Sequence, residues 1–146
     1  MMSLDDLNLI KLERHIYSAS KKEALEDYLK VKFEVEEAEK EKEYAISQLN
    51  DAKAEYYEAR RAYMQASGKE KESLLNEYLI AQEIRDVQKQ RFKEADERCH
   101  QLYLDKQVKW EIYSYFKWEQ ERLSEMIKEN YKELWKTPKS QRKRPK

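Results

Sequence analysis

Residues 24–66 read ALEDYLKVKFEVEEAEKEKEYAISQLNDAKAEYYEARRAYMQA. Taken in heptads, one line runs Ala24, Val31, Ala38, Ala45, Ala52, Ala59, Ala66, and its companion runs Tyr28, Val35, Lys42, Leu49, Tyr56, Tyr63. The first line is nearly all alanine and the second is mostly large. Steps of four and three residues, sustained in this way, are the signature of a left-handed coiled coil. A line of small side chains lets a partner helix approach closely.

From Leu74 a second set of positions runs Leu74, Tyr78, Ala81, Arg85, Gln88, Phe92, Ala95, Cys99, Leu102. It continues, more polar, through Lys106, Lys109, Tyr113, Phe116, Gln120, Leu123, Ile127, Asn130 and Leu134. Between the two sets lies Ala66-Ser67-Gly68-Lys69-Glu70, with the only glycine of the chain. Gly68 can adopt the left-handed conformation that ends a helix. Ser67-x-x-Glu70 matches the capping box that starts one. These signals predict a tight turn between two helices within residues 66–71.

An antiparallel pair turning there sets opposite residues whose numbers add to about 137, which places Ala59 against Tyr78, Tyr56 against Ala81, Ala45 against Phe92 and Ala38 against Cys99. Large against small fills a two-helix seam at native density. A parallel dimer of one continuous helix would stack alanine on alanine instead. The expected fold is therefore all-α: a long two-helix antiparallel coiled-coil hairpin. Its expected parts are an N-terminal helical segment (1–17), a first arm (18–66), a turn (67–70), a second arm (71–135) and a basic tail (136–146). Ser20-x-x-Glu23 is a second capping box, so residues 4–17 read either as a separate short helix or as the frayed start of the first arm. The polar seam positions toward the termini predict looser pairing there.

Composition agrees with long helices. The 146 residues carry 30 basic and 30 acidic side chains, 41% of the chain is charged, and there are one Gly and two Pro. So few chain breakers exclude turn-rich α/β and β-sandwich folds. A mean hydropathy of -1.15 would suit disorder, but the sustained periodicity decides against it. No stretch is apolar enough for a membrane span, and the acidic start lacks the apolar core of a secretory signal, so the expected location is cytoplasmic. Residues 136–146 hold six basic groups and no acid, which leaves a net charge of minus six on the other 135 residues.

Chemistry is sparse. Cys99-His100 could suggest a nucleophile with its base, but sequence neighbours on a helix point about 100° apart. Cys99 reads better as a small seam residue. No Cys/His cluster has metal-ligand spacing, no Gly-rich phosphate loop exists, and Glu36-Glu37 belongs to a solvated face. No catalytic residue, metal or cofactor is expected, and no small-molecule substrate.

Two aromatic clusters stand out as partner contacts. Near the turn are Tyr56, Tyr57, Tyr63 and Tyr78, with Leu75 and Leu79; Tyr57 and the two leucines fall off the seam. In the second arm, Trp110, Ile112, Tyr115 and Trp118 spread over faces that the seam does not use. Core packing and partner contact compete to explain both. The tail could hold phosphates or dock on an acidic protein surface. The acidic remainder of the chain makes nucleic acid an unfavourable main ligand.

The order of these features resembles the FliJ/YscO family, stalk proteins of the flagellar and injectisome type III secretion ATPases. The resemblance lies in Glu55-Tyr56-Tyr57 with Tyr63, then Ser67-Gly68, then Leu74-Leu75-x-x-Tyr78-Leu79-Ile80, followed by a charged second arm, a late aromatic stretch and a basic end. It implies a non-enzymatic stalk whose paired termini enter a hexameric secretion ATPase and whose other end reaches the export gate protein, with secretion chaperones as further candidates. Contact with the membrane would then be only through those partners. It implies Tyr56, Tyr57, Tyr63, Leu75 and Tyr78 toward the gate and Lys139, Arg142, Lys143 and Arg144 against acidic groups of the ATPase, while Trp110, Tyr115 and Trp118 stand as an aromatic belt on the reading of the residues themselves. A general coiled-coil scaffold acting through the aromatic patches is the alternative, and a nucleic-acid-binding hairpin using the tail is the third.

Overall fold

The computed structural model describes residues 3–136. They form two helices, α1 (Leu4–Gln65) and α2 (Lys69–Lys136), packed against each other as an all-α hairpin. The described residues group into two compact units, one of residues 3–31 with 106–136 and one of residues 32–105.

The start of α1 is set by a cap. Ser3 Oγ accepts the Asp6 N–H at 3.1 Å, and the Asp6 carboxylate accepts the Ser3 N–H at 3.4 Å. Two otherwise unpaired backbone donors are satisfied reciprocally. Asp5 and Asp6 also place negative charge in the first turn, where it favours the helix dipole. The capping pattern at Ser20-x-x-Glu23 lies inside α1 and starts nothing. Residues 4–17 are accordingly not a separate helix or a frayed start: α1 runs through them unbroken. Counting back by heptads from Ala24 and Tyr28 gives Lys21, Tyr17, Arg14, Ile10 and Leu7, each buried or half-buried. The seam thus continues to the first turn.

The break between helices is three residues long. The Ala66 N–H donates to the Tyr63 carbonyl at 3.3 Å, a tightened last turn, and the Lys71 N–H donates to the Gly68 carbonyl at 3.2 Å as α2 begins. Gly68 has φ of 71°, the left-handed conformation in which an L side chain is strained. No atom lies within 4 Å of where its Cβ would stand, so the strain is the backbone's alone. Gly68→Ala should therefore lower stability by about 1 kcal/mol, and Gly68→Asn by less, because Asn tolerates this region better. Urea unfolding of the two variants checks the order.

Within residues 32–105, α1 buries Val35, Ala38, Ala45, Leu49, Ala52 and Tyr56, and α2 buries Cys99. The remaining α2 seam residues, from Leu74 to Leu102, are half-buried. Ion pairs cross the seam from Lys42 to Asp96 (2.8 Å) and from Glu41 to Arg98 (2.9 Å). Their residue numbers add to 138 and 139, beside the expected 137. The alignment read from large-against-small layering is the one adopted.

The unit containing the termini has its own core. Leu7, Ala24 and Val31 of α1 and Leu123 and Ile127 of α2 are all buried. Tyr17 packs on Phe116 with ring centroids 6.0 Å apart, and the Lys11 ammonium donates to the Tyr131 hydroxyl. The expectation of loose pairing here is not met: Leu7 and Leu123 are 1% and 2% exposed. One polar seam residue, Asn130, finds a local partner: its amide donates to the Met126 carbonyl at 2.7 Å.

Candidate partner-binding surfaces

The tyrosines near the turn divide by one residue of sequence. Tyr56 is a seam residue and buried; its ring lies 5.4 Å from Tyr57 and 5.5 Å from Tyr78. Tyr78 stacks in turn on Tyr63 at 5.6 Å, so it occupies the space over Ala59 between the two α1 tyrosines. The hydroxyls of Tyr56 and Tyr78 are 3.2 Å apart. Hydrogen bonding by Tyr78 pulls the Tyr56 hydroxyl below the usual tyrosine pKa, helped by the Arg85 guanidinium, which sits 3.9 Å from the Tyr56 ring. The Tyr78 hydroxyl is pushed up, because losing its proton would cost the bond it makes to Tyr56. Lys71 caps the Tyr63 ring at 5.2 Å. Tyr56, Tyr63 and Tyr78 are thus engaged in holding the hairpin together.

Tyr57 is not. It follows Tyr56 by one position, just as Leu79 follows Tyr78 and Leu75 follows Leu74. In an antiparallel pair these positions emerge on the same side. Tyr57 and Leu79 are exposed and Leu75 is half-buried. Met64, one position after Tyr63, adds to this side and was missed in the sequence, although its one-after-seam position was a usable signal. A second apolar line on α2, Ile80, Ile84 and Val87, was also missed; all three are exposed and line a shallow groove of that helix. Their steps of four and three were the readable signal.

The second-arm aromatics do not form one belt. Trp110 covers Tyr28 (5.0 Å) and Tyr113 (5.5 Å). Tyr115 sits about 140° further round the helix, with its ring edge-on to Tyr17 at 6.5 Å and to Phe116 at 5.5 Å. Trp118 carries the Arg122 guanidinium 5.8 Å from its ring. All three remain about half exposed, as large aromatics that lie only partly against their neighbours.

Beside them is an arrangement that sequence reasoning did not find. Glu119 is a buried carboxylate, and Arg122 donates to it at 2.7 Å. Glu119 holds the Arg122 guanidinium even more firmly in its charged form. The Tyr17 hydroxyl is raised chiefly by its hydrogen bond to Tyr115, with Glu119 and Glu13 adding to the effect. Tyr17 of α1 and Tyr115 of α2 thus interact with each other, and the charge of the Glu119–Arg122 pair on α2 is felt at Tyr17. A one-turn Glu-x-x-Arg spacing is common on any charged helix, so nothing marked this carboxylate as buried.

Cys99 lies in the seam and His100 is exposed. Among the described residues no group of three or more His, Cys, Asp or Glu is placed to hold a metal, and no helix is long and apolar enough to cross a membrane. Lys139, Arg142, Lys143 and Arg144 lie outside the described residues. No protein-family model, curated protein or solved structure matches the chain.

Proposed function

We propose that this chain is a non-enzymatic helical adaptor, and that its specific role is the stalk of a type III secretion system, linking the hexameric export ATPase to the export gate and promoting export. One observation supports the adaptor reading most: apolar side chains stand clear of the hairpin seam in each unit separately. Tyr57 and Leu79 do so in the unit with the turn, and Trp118 does so in the unit with the termini. Exposed aromatic and aliphatic side chains beside a satisfied core are what partner surfaces are built from. The secretion assignment rests on the resemblance in feature order, together with the tyrosine-rich turn.

Titrating the full chain into a purified secretion ATPase and following ATP hydrolysis tests the finer role. Stimulation is expected, reduced by Trp118→Glu and by a chain ending at Trp135. Tyr57→Glu should leave stimulation intact but weaken binding to the cytoplasmic part of the gate. No stimulation by the unaltered chain removes the stalk role and leaves the adaptor reading to be tested on other partners.

A further inference from the structure

Besides its seam, α1 has a second apolar line near its start, at Leu9, Leu12, Ile16 and Ala19. The steps are three, four and three, the spacing of a coiled-coil contact face. The line lies roughly opposite the seam line of Leu7, Ile10, Arg14 and Tyr17, so α2 does not cover it. Leu9, Leu12 and Ile16 are 64%, 57% and 56% exposed. Three turns of a helix that already buries one face therefore present a second one, built to the same period.

Charge decides what fits there. Continuing the steps outward, the same line meets Asp5 on one side and Glu23 and Glu26 on the other, all exposed. A second copy in parallel would set Glu23 and Glu26 against their own counterparts. In the antiparallel arrangement that places Leu12 over Ile16, Asp5 would face Glu23. Both directions put like charges at the ends of the contact, where they oppose pairing. An anionic lipid surface would be repelled by the same carboxylates. The chain's own basic stretch, residues 136–146, has no Leu, Ile, Val, Met or aromatic side chain to seat on the line. Lys22 and His15 flank the stripe on one side and Glu13 on the other, leaving the carboxylates at its ends as the dominant charge along its axis.

We infer that the Leu9–Leu12–Ile16–Ala19 face of α1 is the docking site for an amphipathic helix of another protein, with heptad-spaced apolar residues over three turns and Lys or Arg just beyond each end. That helix packs as a third member of the coiled coil, its cations meeting Asp5 at one end and Glu23 and Glu26 at the other. The inference does not depend on the secretion reading, because it uses only this face and its charges.

The probe is a lactam-bridged synthetic helix with Leu and Ile at the heptad core positions over three turns and Lys one step beyond each end. A twin carries Glu in place of each Lys. Fluorescence anisotropy with the full chain at low salt is expected to show the Lys helix binding about tenfold or more tighter than the Glu twin. Leu12→Glu should abolish binding, and Ile84→Glu, on an apolar line of the other unit, should leave it unchanged. Because Leu12 is exposed, its replacement leaves the hairpin folded, which helical circular dichroism checks. Equal binding of the twins, no binding of the Lys helix, or full binding to the Leu12→Glu chain overturns the inference. So does efficient disulfide formation between copies carrying Leu12→Cys with Cys99→Ser, which would assign the face to self-association.

Discussion

Replacing Leu7 with alanine is expected to cost about 2–3 kcal/mol of stability, while Leu9→Ala two residues later should stay within about 0.5 kcal/mol of the unaltered chain. Leu7 is 1% exposed and Leu9 is 64% exposed. Two helical steps turn a side chain by about 200°, which carries one leucine into the seam and the other out of it. Truncating a buried leucine loses its transfer free energy and leaves a cavity that the surroundings only partly fill. The lower part of the usual range applies because Leu7 lies in the first turn of α1, where the helix end can relax into part of the space. Urea denaturation followed at 222 nm gives both values. Equal, small effects would mean that residues 4–17 do not share the core of their unit, contrary to the burial of Leu7 and the Lys11–Tyr131 contact.

That contrast also marks where sequence reading ended. The seam between Ala24 and Ala66 was legible because one line was reduced to alanine and the other kept large, a pattern that few other arrangements explain. The turn was legible because the chain has a single glycine and a positive φ demands one. Earlier in α1 the same heptads pass through Arg14 and Lys21, long side chains whose stems can lie along apolar surface while their charges reach water. Polarity at those positions hid the continuing seam, and the Ser20-x-x-Glu23 pattern offered a false start. The partner-binding residues were legible only as a neighbourhood. Tyr56 and Tyr57 are the same residue type, and which of them is buried follows from helical phase. Trp110 and Tyr115 needed more than phase, since each leans on an α1 tyrosine whose position depends on the packing of the two helices. The buried Glu119 could not be read at all. Its pairing with Arg122 depends on side-chain conformation, and composition and spacing carry no information about rotamers.

Enlarging a seam alanine tests the close approach of the helices more sharply than any truncation. Ala38 is 1% exposed and by the antiparallel alignment stands opposite Cys99, 3% exposed. A leucine at position 38 adds three carbon atoms to a layer that has no room for them. Either the helices separate locally or side chains leave their preferred rotamers, so Ala38→Leu should destabilise by about 1–3 kcal/mol. Ala54→Leu, at an exposed position of the same helix, is the control and should change stability by less than about 0.5 kcal/mol. Hydrophobicity alone predicts the reverse order, because Ala38→Leu adds apolar surface to a buried site. A second substitution locates the crowding. Cys99→Ala removes the sulfur facing position 38, and in the double variant the loss should fall short of the sum of the single losses by about 0.5 kcal/mol or more. Strict additivity would place Ala38 and Cys99 in different layers. The 137 alignment would then be wrong, along with the assignment of every facing pair derived from it.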